Sequence, residues 1–154
     1  MKSPRRRSRE FALQALYQWQ LAQQPWGELE QQYKIAEGFD KADASLFKAI
    51  VVGAIGNAET LAQTLTPHLD RGWTEVSPIE RAILLIGGVE LIHMPETPYR
   101  VILNEAIELA KSFGGTDGHK YVNGVLDKVA AISRAEEIAA PPPVRKPAAR
   151  RQSR

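Results

Sequence analysis

Ser77-Pro78-Ile79-Glu80-Arg81-Ala82-Ile83-Leu84-Leu85-Ile86-Gly87-Gly88-Val89-Glu90-Leu91-Ile92-His93 is the stretch whose reading decides the fold. It opens on a capping box, with serine ahead of the helix, glutamate three residues on, and proline at the first helical position. The helix behind that box, from Ile79 to about His93, is apolar nearly all round. A surface helix carries an apolar stripe on one side only, so this one belongs at the centre of a core with other helices packed about it.

The pattern outward from it is helical in both directions. Thr97-Pro98 starts a further helix with Ile102, Ala106, Leu109 and Phe113 as its buried stripe, and Gly114-Gly115 stops it. Asp117 opens the last helix, whose Val122, Val125, Leu126 and Val129 face inward. Toward the N-terminus, a first helix runs from about Arg5 to about Leu21, with Leu13, Leu16, Tyr17 and Leu21 on one stripe of the 3.6-residue period. Pro25 and Gly27 end it. A short helix follows from about Leu29 to Glu37 and stops at Gly38. Asp40 is placed to cap a third, with Leu46, Phe47, Ile50, Val51, Ala54 and Ile55 as its apolar face. Asn57 closes or kinks that helix, and Leu61 and Leu65 mark a fourth before Pro67. No stretch alternates as a strand does. The expectation is an all-α chain of about seven helices over residues 1–134. From 135 to 154 the pattern dissolves into Pro141-Pro142-Pro143, Pro147 and scattered arginine, a low-complexity, basic composition expected to be a disordered tail.

Charge is distributed unevenly. The chain of 154 residues has 20 Lys and Arg against 18 Asp and Glu, a net of +2. Residues 1–9 hold five of the positive charges and residues 135–154 five more, so residues 10–134 carry 10 basic against 16 acidic side chains. A polyanion is therefore held by a local field and not by the surface as a whole. Lys2, Arg5, Arg6, Arg7 and Arg9 stand where a helix N-terminus already carries partial positive charge. A basic run that breaks this local rule points to nucleic acid, with a solvated disordered terminus as the plain alternative.

Catalytic and metal motifs are missing. His68, His93 and His119 have no partner at metal-ligand spacing, there is no phosphate loop, and no serine sits in a nucleophile elbow. No cofactor, no metal and no enzymatic activity are expected. With no cysteine and no apolar stretch of membrane-spanning length, the expected location is the cytoplasm, with no membrane partner. One segment does carry recognition chemistry. Phe113-Gly114-Gly115-Thr116-Asp117-Gly118-His119-Lys120-Tyr121 interleaves aromatics and cations across a glycine-rich loop, the combination that holds single-stranded nucleic acid. The same residues also read as an ordinary helix junction, with Phe113 a core plug, Asp117 an N-cap and Tyr121 half-buried.

Three blocks resemble the family of the bacterial transcription antitermination factor NusB. They are Arg5-Arg6-Arg7-Ser8-Arg9-Glu10 with Ala15-Leu16-Tyr17-Gln18-Trp19-Gln20, then Asn104 through Gly114, then His119 through Lys128. The resemblance spans about residues 1–134. It implies two packed helical bundles. It also implies binding of the single-stranded boxA element of nascent ribosomal RNA leaders together with NusE, a small-subunit ribosomal protein. That pair joins other Nus factors on RNA polymerase and suppresses premature termination. On this reading Lys2, Arg5, Arg6, Arg7 and Arg9 form the RNA-contacting segment, with Phe113, Asp117, Lys120 and Tyr121 on the RNA-contacting loop and helix start. Tyr17 and Glu80 fall where the family meets NusE. Tyr17 also reads as core and Glu80 as the capping-box acid. A homodimer through the partner surface stays open. The competing readings are a helical protein-interaction adaptor and the RNA-binding module of an RNA-modification system. The chain shows no cofactor-binding α/β domain, which weighs against the second.

Overall fold

The computed structural model describes residues 2–140, and every described element is helical. The order is α1 (Pro4–Ala22), α2 (Trp26–Lys34), α3 (Ala44–Gly56), α4 (Ala58–Leu65), α5 (Pro78–His93), α6 (Tyr99–Phe113), α7 (Gly118–Ser133) and a short α8 (Ala135–Ala139). Single 3₁₀ turns cover Phe39–Lys41, Thr66–His68 and Trp73–Glu75. Helices α1, α2 and α3 form one bundle and α5, α6 and α7 the other; α4 touches both, and α5 also packs on α1 and α3.

Helix α5 lies where its composition requires. Every residue from Ala82 to Leu91 is buried. Ser77 caps it, its hydroxyl accepting from the Glu80 N–H at 3.2 Å, and Pro78 occupies the first turn. Its approach to α7 is close enough that a Cβ on Gly87 would stand 2.5 Å from Leu126 Cδ1. The first bundle is filled by aromatic edges: Phe39 lies 5.0 Å from Phe47 and 5.2 Å from Phe11, centroid to centroid. Such edge-to-face pairs add specific geometry to the burial of large apolar area.

Several boundaries differ from expectation for physical reasons. Helix α1 begins at Pro4, because Ser3 caps it and accepts from the Arg6 N–H at 3.1 Å. Ser3-Pro4 is the same start signal as Ser77-Pro78, so the arginine run is the helix's first turns and not a flexible arm. The buried face of α1 is Ser8, Arg9, Ala12, Leu13, Ala15 and Leu16, rotated from the anticipated stripe, and Tyr17 and Leu21 are exposed. Helix α2 ends at Lys34, before the expected Glu37. Asp43 caps α3, its carboxylate accepting from the Leu46 N–H at 3.0 Å, whereas Asp40 lies in the 3₁₀ turn. The ordered chain also passes 134: α8 follows, and Ala140 is the last described residue. The tail from 141 onward, with Arg145, Lys146, Arg150, Arg151 and Arg154, lies outside the described residues.

Candidate nucleic-acid interface

Four of the five basic N-terminal residues, all but Arg7, are paired with carboxylates. Lys2 Nζ lies 2.9 Å from Glu10 Oε1, and Arg5 Nη1 lies 3.5 Å from Asp43 Oδ2. Arg6 donates through Nε and Nη2 to the two oxygens of Glu105, at 3.1 and 2.9 Å. Lys2 and Arg5 are exposed, and an exposed ion pair contributes only about 0–1 kcal/mol, so both cations can exchange a carboxylate for a phosphate at little cost. Arg7 has no ion-pair partner among the described residues.

Arg9 has to be removed from this set. It is 2% exposed and donates from Nε and Nη2 to both oxygens of Glu90, itself 1% exposed, each at 2.8 Å. Burial works against the Arg9 charge, but the hydrogen bonds and charge of Glu90, with help from Glu105, prevail and raise its pKa. A guanidinium enclosed this way has no phosphate to meet. The signal for it was Glu90 itself, the one acid past the first turn of a helix apolar nearly all round, because a buried carboxylate demands a cationic partner.

The loop after α6 is close to these cations. Lys2, Arg6, Glu105, Glu108 and Ser112 line one cleft between α1 and α6. Phe113, next to Ser112, ends α6 and is 42% exposed. It is therefore not the last member of the buried stripe; Ile102, Ala106, Leu109 and Ala110 fill that role. Asp117 stands at the N-cap position of α7 with φ of 62°, in the left-handed region, and its side chain makes no capping bond. Its carboxylate lies instead 3.5 Å from Lys120 Nζ, both side chains well exposed.

Tyr121 is turned in, one turn along α7. Its hydroxyl is buried with no hydrogen-bond partner among the described residues, and burial, reinforced by the charge of Asp70, pushes its pKa up. Arg71 covers the ring, its Cζ 4.7 Å from the centroid. Glu80 reaches the same place from α5: a Cβ on Gly118 would stand 2.7 Å from Glu80 Oε2, so glycine is what lets the carboxylate sit against the start of α7. The reciprocal half of the expected capping box is thus not what Glu80 does. Tyr17, 37% exposed, is on the surface and not in the core.

Sequence reading missed Arg71 and Arg134. Arg134, buried at the end of α7, donates to the carbonyls of Glu90, Leu91, Met94 and Thr97 at 2.8–3.0 Å. These include carbonyls that the last turn of α5 leaves without an intrahelical donor. Nothing in the neighbouring Ser133 and Ala135 distinguishes this arginine from a solvated one.

A two-bundle all-α protein with a cationic helix start beside an exposed aromatic loop is what fold and surface define. Among the described residues no single helix is long and apolar enough to cross a membrane. The NusB family model matches residues 6–131, and the chain belongs to the NusB family. It is 58% identical over 139 residues to the transcription antitermination protein NusB of Burkholderia cenocepacia, covering 90% of this chain and 96% of that one. It is 55% identical to that of Ralstonia nicotianae, covering 90% of each. Among solved structures, T. maritima NusB superposes with a TM-score of 0.76 at 25% identity, covering 91% of this chain and all of that one. A complex of the antitermination factors NusB and NusE with double-stranded RNA contains a chain that matches with a TM-score of 0.69 at 25% identity, over 80% of this chain and 93% of its own.

Proposed function

We propose that this chain is a transcription antitermination factor that binds boxA-type single-stranded RNA of nascent ribosomal RNA leaders jointly with NusE. With the other Nus factors it acts on RNA polymerase to prevent premature termination. It works in the cytoplasm by binding alone, with no catalytic step and no cofactor. The observation that carries this reading is the shared surface of the α1 start and the α6 end: Lys2 and Ser112 line one cleft, and Phe113 stands exposed beside it. Cations for a backbone and an aromatic face for bases are what a single strand requires. The relatives' name and the solved complex with NusE and RNA support the same assignment.

In this reading Lys2, Arg5 and Arg7 meet phosphates, Arg6 and Lys120 flank them, and Phe113 stacks on a base, with Asp117 and Tyr121 shaping the loop. Tyr17 and Glu80 face NusE. The test is a titration of boxA-like RNA at two salt concentrations, with and without NusE. The expected result is binding that weakens with salt and tightens when NusE is present. No binding at low salt, with or without NusE, overturns the reading. Glu80→Lys is expected to weaken NusE binding while the protein stays folded. Normal NusE binding by Glu80→Lys removes Glu80 from the partner surface.

A further inference from the structure

Arg71 is the charged residue that the sequence reading leaves without a task. It follows the 3₁₀ turn at Thr66–His68, on the connection leading to α5. Its guanidinium donates from Nε and Nη2 to the two oxygens of Asp70, at 2.6 and 3.1 Å. Behind it lies the Tyr121 ring. Its side chain is nonetheless 42% exposed. The two contacts fix the group by different means: the carboxylate fork sets the plane of the guanidinium, and the ring supports it through a cation–π contact. Glu80 adds its charge to the same neighbourhood.

An exposed ion pair between adjacent residues contributes little to stability. Stability therefore does not account for it. A planar cation backed by an aromatic ring, with its outer side open to solvent, is a surface on which a nucleobase stacks. From this geometry we propose that Arg71, and not Tyr121, is the stacking platform for one RNA base, with Asp70 and Tyr121 as the residues that position it. The proposal rests on the RNA-binding reading above. It places the base near Glu80, whose charge reaches Arg71 and whose carboxylate lies against the start of α7.

The experiment uses the full chain and a boxA-like RNA carrying 2-aminopurine at successive positions, whose fluorescence is quenched by stacking. Arg71→Lys keeps the charge and loses the plane. It is expected to weaken RNA binding by about fivefold or more and to abolish quenching at one position, with melting temperature unchanged. Tyr121→Leu removes the ring behind the guanidinium and is expected to lower affinity and quenching at that same position. Arg71→Lys with unaltered affinity and quenching reduces Arg71 to a point charge and overturns the platform. Quenching lost in Tyr121→Leu but retained in Arg71→Lys assigns the stack to Tyr121 and overturns it equally. Failure of the unaltered protein to bind RNA overturns the functional reading itself, an outcome distinct from either.

Discussion

Arg9 and Glu90 differ from the other charged residues of α1 in what their loss costs. A buried pair contributes little net stability over an apolar replacement, but removing one member strands the other's charge. Arg9→Ala is expected to destabilise the fold by about 3–5 kcal/mol in urea unfolding. Arg9→Met combined with Glu90→Leu should recover most of that. The folded fraction of the double variant should bind RNA as the unaltered protein does; a large loss of affinity there would return Arg9 to the RNA site. Phe113 is the opposite case. Because its ring is largely outside the core, Phe113→Leu is expected to leave the melting temperature nearly unchanged while weakening RNA binding about 5- to 150-fold. A fall in melting temperature with intact affinity would make it a packing residue after all.

At the level of elements, the end of α7 and the short α8 work as a clasp on α5. Arg134 holds four carbonyls, and Glu137 accepts from Arg134 Nη1 at 2.6 Å and from the Tyr99 N–H at 3.0 Å. Truncation after Ser133 removes the clasp and is expected to cost at least about 2 kcal/mol, since buried carbonyls lose charged donors. Truncation after Ala140 should leave unfolding unchanged, as the residues beyond it carry no apolar periodicity. The clasp also has a pH signature. The Tyr99 N–H, and after it Arg134, hold the Glu137 carboxyl below its ordinary value of 4.5. A depressed folded-state pKa adds stability above the unfolded value and loses it as pH falls through the folded one. Glu137→Gln should therefore narrow the stability difference between neutral and acidic pH, with the change confined to pH below about 4.5. Identical acid-unfolding curves for the two proteins would show that Glu137 contributes nothing.

Across the molecule, the salt dependence of RNA binding counts the cations engaged. Single strands give a log–log slope of about −0.7 per neutralised phosphate, so changing Lys2, Arg5 and Arg7 to Gln should flatten it by roughly 2. An unchanged slope would place the phosphates elsewhere. The helical framework was legible because its signals are local: caps at Ser77 and Asn57, breaks at Pro25 and Gly114, and periodic apolar residues between. What was not legible depends on distance in the chain. Arg9 reads as one arginine of a basic run until Glu90, 81 residues on, is seen to face it. Arg134 is a surface residue in sequence and a clasp in space. Tyr121 reads either as an RNA-facing aromatic or as a half-buried one, and Arg71 over its ring favours the second. In each case local chemistry names the residue type correctly and a non-local partner decides its task.

The two ends of the folded region meet on one helix: Arg9 inside α5 at Glu90, and Arg134 on the carbonyls of Glu90 and Leu91. For a chain made from its N-terminus, this sets an order of events. The first bundle lacks the partner of its buried arginine until α5 emerges, and α5 lacks its terminal donors until Arg134 emerges. A ribosome-bound chain stalled before Arg134 is released should be open to protease within α5, and protection should appear in a single step once that arginine is free.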